Sequence, residues 1–339
     1  MSDVMATAAG SRASSPETGE KRATRWSRVM LRQETTLVAV IVLIGAFTTV
    51  RNSAFVESGN LTEILRSSVI YFVMAAGAAL LMIGGGLDFS VGSIFTLGGL
   101  VTAWMLVHGV PWPAAIAGGL ALGAVVGGIN HIIITYLHVP PIIATLGTFF
   151  ITQGIGVQIT GGLDILPLPT TFQQLGQNDV LGVPYIVLYA IAIGAIAWFV
   201  LERTRFGINV RALGGNRQAA IGNGLRVARL DFALYAVAGL MAALAGIIYA
   251  ARVGAGQVEA GGASTTLQVV TATLIGGTSL FGGLGSITGV ALGAILLSEI
   301  ENALVVAHIA PQYNSIVTGA ILIAAVAADH VRRERLYRR

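Results

Sequence analysis

Repeated apolar runs, each long enough to cross a lipid bilayer, constrain this chain more than any other feature. We read ten of them, at residues 35–52, 61–83, 92–108, 112–137, 140–160, 184–202, 231–252, 265–280, 286–308 and 312–329. A helix of about 20 apolar residues crosses the roughly 30 Å hydrocarbon core of a membrane. Only 11% of the residues are charged, whereas soluble domains carry about 25%. The pattern predicts an all-α, polytopic membrane protein with about ten transmembrane helices, of which the eighth is short and broken or tilted.

The basic residues indicate which connections face the cytoplasm. Seventeen of the twenty Lys and Arg residues lie in three segments, 12–32, 203–229 and 332–339. Basic residues concentrate in cytoplasmic connections of membrane proteins. Even numbers of predicted spans separate the three segments, so all three fall on one side, and this pattern does not indicate nucleic-acid binding. We predict a disordered basic cytoplasmic tail at 1–34, a transmembrane domain at 35–330 with a cytoplasmic loop at 203–230, and a basic cytoplasmic tail at 331–339.

Small residues at helical spacing predict close contacts between helices. Gly119, Gly123 and Gly127 form two consecutive GxxxG steps, and Gly289 with Gly293 forms another. Packing within the subunit is favoured over packing between subunits. A short internal echo links "MIGGGLDFSVGSI" (82–94) to "LIGGTSLFGGLGSI" (274–287). The ten-span topology puts both strings on the same side, which does not fit an inverted repeat.

Several kinds of chemistry have no counterpart in the sequence. There is no G-x-x-x-x-G-K-[ST] phosphate-binding loop and no G-x-S-x-G nucleophile site. The chain has no cysteine, and its five histidines do not follow a metal-ligand spacing. His131 lies within a predicted span, where an internal hydrogen bond is favoured over a ligand role. The sequence therefore predicts no enzyme activity and no cofactor bound by this chain.

A single carboxylate, Asp88, lies between two apolar runs in "GGLDFSVGSIFTLGGL" (85–100). It could cap a helix from about Ser90 to His108 by accepting N–H groups of the first turn. Alternatively, it lies at a break between spans, where irregular backbone lines a wet cavity, and takes part in transport. The residues alone leave both alternatives open.

The central loop, "ERTRFGINVRALGGNRQAAIGNGLRVARLDF" (202–232), predicts a short helix. Asn216 is suited to cap a helix over Arg217–Ile221, and Gly222 or Gly224 to end it. With its small residues, this helix could dock in a groove of a partner protein. The alternative is a solvated basic loop.

The long external connection, 161–183, is rich in Gly, Pro and Gln, which is typical of a surface loop. A docking surface and a plain connector are equally consistent with it. The residues favour neither alternative over the other.

Four strings resemble the membrane permease subunit of bacterial monosaccharide ABC importers of the ribose/xylose/galactose type. They are "GGLDFSVGS" (85–93 with its preceding Gly84), "PPIIATLGT" (140–148), "TRFGINVRALGGNRQAA" (204–220) and "IGGTSLFGGLGSITGVALGA" (275–294). The resemblance runs in order from about residue 35 to 330. It implies the architecture of an ABC importer permease in the bacterial cytoplasmic (inner) membrane, with both termini cytoplasmic.

The resemblance also implies a function and partners. Such a subunit passes a monosaccharide across the membrane between two permease copies, as a homodimer embedded in the bilayer. ATP and magnesium are bound by a separate cytoplasmic ATPase, and an extracytoplasmic binding protein delivers the sugar. An ion-coupled secondary transporter and an intramembrane enzyme are the rival hypotheses, the second without an evident catalytic pair.

The resemblance implies residues for two sites. Residues 211–222 correspond to the coupling helix, and we expect contact with the ATPase from Phe206, Gly207, Gly214, Gly215, Asn216, Arg217, Ala219, Ala220 and Gly222. We expect the translocation pathway or its gate to involve Asp88, Ser90, Asn130, Thr145 and Gln153.

The chain departs from the family pattern in its acidic residues. Where the family usually has Glu-Leu-Asp, this chain has Thr266-Leu267-Gln268. Where many members have Asn-Asn-Gly-Leu, this chain has "ENAL" (301–304), with Glu299 two residues earlier. In the central loop, the family usually has Ser immediately before the glycine at position 224, and this chain has Asn223 there. Acidic groups have therefore moved between neighbouring spans, which bears on the identity of the solute.

Overall fold

The protein is almost entirely helical. The computed structural model describes residues 18–310 and 312–337, and the side chains of 33–310 and 312–330. The α-helices in the described part of the chain are α1 (Thr18–Arg51), α2 (Ser58–Ile83), α3 (Val91–Val107), α4 (Trp112–Tyr136), α5 (Pro141–Thr160), α6 (Thr170–Gln177), α7 (Tyr185–Arg203), α8 (Arg205–Gly215), α9 (Arg217–Gly222), α10 (Val227–Val253), α11 (Ala263–Ile275), α12 (Ile287–Val306) and α13 (Gln312–Tyr337). A 3-10 helix spans Ser53–Val56, and β1 (Asp179–Val180) pairs antiparallel with β2 (Val183–Pro184).

Each of the ten predicted spans coincides with a helix, and the all-α polytopic fold is confirmed. Seven helices are long and apolar enough to cross a membrane: residues Gln33–Arg51 of α1, then α2, α4, α5, α7, α10 and α12. The helices α3 and α11 are apolar but shorter. At 13 residues, α11 is about 20 Å long, less than the roughly 30 Å of a hydrocarbon core. The eighth span is therefore too short to cross the hydrocarbon core as one helix, whereas the sequence alone indicated only a short span.

The helices at both chain ends extend further than predicted. Helix α1 begins at Thr18, although residues 18–34 were assigned to a disordered tail, and α13 continues to Tyr337. Residues 20–34 and 331–337 contain neither proline nor glycine, so nothing in their sequence stops a helix that continues from the adjoining span. The rest of the predicted N-terminal tail, 1–17, lies outside the described residues.

Helices α2 and α10 form the centre of the bundle. Helix α10 packs against α2, α3 and α4, and α2 packs in turn against α7, α11 and α12. The GxxxG steps lie at contacts between α4 and its neighbours α3 and α10, and between α12 and α11. A Cβ added at Gly123 of α4 would lie 2.4 Å from the carbonyl oxygen of Gly239 on α10, and one at Gly289 of α12 would lie 2.1 Å from that of Gly276. These contacts confirm that the GxxxG steps pack within the subunit.

Three connections meet at one end of the bundle. The N–H of Gly283, between α11 and α12, donates to the carbonyl oxygen of Ile83 at the end of α2, at 2.8 Å. Gly214 at the end of α8 lies against both of these residues. The connections after the second, sixth and eighth predicted spans therefore share one side, as the ten-span topology requires. We call this contact of Ile83, Gly214 and Gly283 the glycine junction.

Different connections meet at the opposite end. Arg252 near the end of α10 forms an ion pair with Glu63 near the start of α2. The side-chain amide of Asn52, after α1, donates to the carbonyl oxygen of Val306 at the end of α12, at 3.0 Å. These contacts join the ends of the first, seventh and ninth spans, which the topology places together.

The internal echo has a structural counterpart. After α2, Gly84, Gly85 and Gly86 donate to the carbonyls of Leu80, Met82 and Leu81; after α11, Gly276, Gly277 and Thr278 donate to those of Ala272, Leu274 and Thr273. The second glycine of each turn has a positive φ, +87° and +89°, which glycine adopts at little cost. The two turns lie on the same side, so the echo does not reflect an inverted repeat.

We predict that Gly214→Ala destabilises the protein while Gly215→Ala does not. A Cβ at Gly214 would lie 1.9 Å from the carbonyl oxygen of Ile83, whereas a Cβ at Gly215 meets no atom within 4 Å. Overpacking of this kind costs about 1–3 kcal/mol. Thermal unfolding of the purified variants in detergent measures the difference, and equal melting temperatures would contradict the glycine junction.

Candidate functional site

Asp88 lies in the turn between α2 and α3 and is 5% exposed. Its Oδ1 accepts the N–H of Ser90 at 2.7 Å and the hydroxyl of Ser90 at 2.5 Å. This bond to the residue two positions later is typical of an Asx turn. Helix α3 begins only at Val91. Asp88 therefore holds the backbone that precedes the helix and accepts no N–H group of its first turn.

Two further helices contribute polar side chains to this turn. The Nδ2 of Asn130 on α4 donates to Oδ2 of Asp88 at 3.2 Å and to Oγ of Ser90 at 2.8 Å. The Oγ1 of Thr145 on α5 accepts the N–H of Phe89 at 3.1 Å. All of these side chains except Phe89 are buried. We refer to Asp88, Ser90, Asn130 and Thr145 as the Asp88 cluster.

Gln153 does not belong to the Asp88 cluster. It lies eight residues beyond Thr145, about 12 Å further along α5, on the exposed face of that helix. Gly147 and Gly154 belong to the same exposed face, and a Cβ at either would meet nothing within 4 Å. The structure therefore brings together four of the five predicted pathway residues and leaves Gln153 on a separate surface.

The start of α11 lies beside the start of α3. The Oγ1 of Thr266 accepts the N–H of Gly92 at 3.1 Å and donates to the carbonyl oxygen of Phe89 at 3.2 Å. The N–H of Gly261 donates to Oγ1 of Thr96 at 2.9 Å. Two shortened helices therefore begin inside the bundle, where side chains satisfy the irregular backbone that precedes them.

The turn after α11 is held by a carboxylate that the sequence analysis missed. Oδ2 of Asp329 on α13 accepts the hydroxyl of Ser279 at 2.9 Å and the N–H of Leu280 at 3.2 Å. Asp329 follows a long apolar run and precedes a basic segment, so its sequence context resembles an ordinary helix end. Only the internal echo could have suggested that this turn needs a carboxylate, as the turn at Asp88 does.

The central loop forms two helices, of which only the second was predicted. Asn216 caps α9 by accepting the N–H of Ala219 at 2.9 Å, as expected. Beyond the end of α9, Gly224 has a φ of +80°. Helix α8 precedes this cap, and Thr204 caps it by accepting the N–H of Gly207. The apolar face of α8 packs against the membrane helices. This tertiary contact stabilises the helix, although its glycine residues have a low helix propensity.

The predicted coupling residues separate into two groups. Those that pack against the bundle are Phe206, Gly207, Gly214 and Ala220. Those that are exposed are Gly215, Asn216, Arg217, Ala219 and Gly222. The first group connects the loop to the membrane helices, and the second forms a free surface.

Ion pairs attach the central loop to the bundle. Nη2 of Arg217 on α9 lies 2.6 Å from Oδ2 of Asp231 on α10. Arg211 on α8 pairs with Glu202 and also donates to the carbonyl oxygen of Gly285, before α12, at 3.2 Å. Arg217 therefore links α9 to α10, and Arg211 links α8 to the α11–α12 connection.

The chain is similar to known membrane transport subunits along most of its length. Residues 60–326 match a family model described as the permease component of a branched-chain amino acid transport system. The D-allose transport system permease protein of Escherichia coli K12 is 33% identical over 297 residues, 87% of this chain and 91% of that protein. The ribose import permease protein of the same organism is 33% identical over 315 residues, 91% of this chain and 97% of that protein.

A solved structure supports the fold. It is of a chain assigned to a metal-chelate type ABC transporter in an inward-facing conformation, and it covers 88% of this chain and 99% of its own, with a TM-score of 0.50 and 12% identity. The protein is a multi-pass membrane permease component and not a catalytic subunit. The chain belongs to the family of branched-chain amino acid transport-system permease components, whose family model matches residues 60–326.

Proposed function

We propose that this chain is the transmembrane subunit of an ATP-driven importer that passes a monosaccharide across the bacterial cytoplasmic membrane. The observation that carries the proposal is the similarity, over about nine tenths of each chain, to permeases named for ribose and D-allose. ATP and magnesium are bound by a separate ATPase. The membership of a permease family favours this function over an ion-coupled secondary transporter.

The complete importer contains two copies of this chain, a cytoplasmic ATPase and an extracytoplasmic sugar-binding protein. Both termini and the central loop face the cytoplasm, because these segments hold most of the basic residues. The external connection, which contains α6 and the hairpin, is the docking surface for the binding protein. This docking role is supported by apolar side chains that are exposed there, including Leu163 and the completely exposed Leu181 at the tip of the β1–β2 hairpin.

The solute passes between the two copies along the exposed face of α5. Gln153 lines this path, together with the open surface beside Gly147 and Gly154. The Asp88 cluster supports the gate from within the subunit. Its side chains are buried and hydrogen-bonded to one another, so Asp88 holds the turn and does not contact the solute.

The central loop couples ATP hydrolysis to this gate. Its exposed residues contact the ATPase, and its packed residues transmit the movement through the glycine junction to the turns after α2 and α11. The contact of Gly214 with Ile83 and Gly283 supports this route.

Uptake in a bacterial strain without its own importers for these solutes tests the proposed function. We expect cells that express the chain with its ATPase and binding protein to accumulate labelled ribose, allose or galactose, and not leucine. Accumulation of leucine alone would contradict the proposed monosaccharide class and favour the solute class in the description of the family.

We predict that Ala219→Glu weakens ATPase association without preventing folding. Ala219 is exposed on α9, so the subunit alone can accommodate the longer side chain. In the complex, the variant places an unpaired carboxylate in the interface with the ATPase. We expect co-purification of the ATPase to fall about tenfold or more. Leu181→Glu, which adds the same group at the opposite end, is the matched control and should retain the ATPase. Equal retention by both variants would contradict the docking surface.

We predict that Asp88→Asn retains most of the stability and uptake, whereas Asp88→Ala loses both. Asn can accept the N–H of Ser90, and Asn130 can rotate its amide because its Oδ1 is buried without a hydrogen-bond partner among the described residues. Ala leaves the backbone N–H and the hydroxyl of Ser90 without their acceptor, at about 1–3 kcal/mol for each buried group, and removes one of the two acceptors of the Asn130 amide. Melting temperature and uptake per assembled complex measure the effects. Loss of uptake in a fully stable Asn variant would assign the charge to transport.

A further inference from the structure

A carboxylate outside the Asp88 cluster lies in the apolar helix α12. Oε1 of Glu301 accepts a hydrogen bond from Nε2 of Gln268 on α11 at 2.6 Å, and Oε2 accepts one from the hydroxyl of Tyr71 on α2 at 3.0 Å. Both donors are uncharged, and Glu301 forms no ion pair within the described part of the chain. Carboxylates inside membrane spans are costly and usually serve function.

Further polar side chains extend this group of residues. The hydroxyl of Tyr249 on α10 donates to Oε1 of Gln257 at 2.7 Å. Tyr249 and Tyr71 lie on helices that pack against each other, α10 and α2. These side chains, with Gln268 and Glu301, are all half-buried, whereas the members of the Asp88 cluster are buried. Helices α2, α10, α11 and α12 therefore present polar groups together on a partly accessible surface.

The other carboxylate of α12 has a different environment. Glu299 is 5% exposed, and its Oε1 would lie 3.0 Å from a Cβ added at Gly45 on α1. Its Oε2 is buried without a hydrogen-bond partner among the described residues. Glu299 thus faces a helix–helix contact, whereas Glu301 faces organised polar donors.

The chemistry of the Glu301 site suits a hydroxylated solute. A carboxylate has about four lone-pair positions, and the protein uses one on each oxygen of Glu301. The remaining positions can accept hydroxyl groups, the amide oxygen of Gln268 can accept another, and the Tyr71 oxygen adds a further acceptor. A monosaccharide presents several adjacent hydroxyl groups that match such a set.

Gln268 and Glu301 act as a pair. Nε2 of Gln268 lies 2.6 Å from Oε1 of Glu301, so one amide and one acid occupy the same place and each fixes the orientation of the other.

We propose that Tyr71, Gln268 and Glu301 form a binding site for the hydroxyl groups of the solute as it enters the membrane, before it reaches the path along the exposed face of α5. This inference rests on the proposed function, because it assumes a monosaccharide as the solute. The binding protein sets the affinity for the sugar, and the Glu301 site sets how efficiently each ATPase cycle moves it.

The test compares Glu301→Gln with Glu299→Gln in the complete importer, reconstituted in proteoliposomes with its ATPase and binding protein. The readouts are uptake of labelled ribose, allose and galactose per assembled complex, and sugar imported per ATP hydrolysed. We expect Glu301→Gln to lower both about tenfold while ATP hydrolysis continues, and Glu299→Gln to match the wild type. A purely structural role would lower the amount of complex but leave the sugar-to-ATP ratio unchanged.

The double variant Gln268→Glu with Glu301→Gln restores an acid–amide pair, and we expect uptake within about threefold of the wild type. If Glu301→Gln does not assemble, Tyr71→Phe, which removes one oxygen, provides the measurement, and we expect a lower sugar-to-ATP ratio. Wild-type ratios in assembled Glu301→Gln or Tyr71→Phe, or no recovery in the double variant, would overturn the inference alone. A wild-type importer that moves none of the three sugars would overturn the proposed function as well.

Discussion

Direct contact between backbones at the glycine junction is the constraint on which the rest of the architecture depends. The hydrogen bond from Gly283 to Ile83 joins the ends of α2 and α11. Gly214 brings the end of α8 into the same contact, with no room for a side chain. Because backbone segments have no flexible side chains between them, a displacement of one connection is transferred to the other two. The membrane bundle and helix α8 are therefore mechanically one body at this point.

Polar groups in the membrane are arranged around the two helices that begin inside the bundle. The Asp88 cluster and Thr266 satisfy the backbone before α3 and around the start of α11. Glu301 and its donors lie on the other side of α11, where they are partly accessible. The same short helix thus separates polar residues that hold the fold from polar residues that we assign to the solute.

The sequence predicted the membrane spans well, because the length of an apolar run reflects the thickness of the bilayer. It failed where tertiary contact decides the structure: α8 forms because its apolar face packs on the bundle, and α6 because Phe172 is buried against α10. Asp88 was recognisable as unusual, but its bonds to Asn130 join residues 42 positions apart. Gln153 was predicted together with Asp88, but composition does not reveal which face of α5 turns inward, and the structure places Gln153 on the exposed face. Gln268 and Glu301 were visible as departures from the family pattern, and only the structure shows that the two side chains touch.

The short α11 also bears on how the protein enters the membrane. Insertion machinery recognises segments by apolar length, and a stretch of 13 residues is well below the roughly 20 that cross unaided. Helix α11 therefore depends on α12, whose Gly289 and Gly293 seat against its last turns. We therefore expect the two helices to enter the bilayer as a hairpin, with α11 taking its place only once α12 has been synthesised.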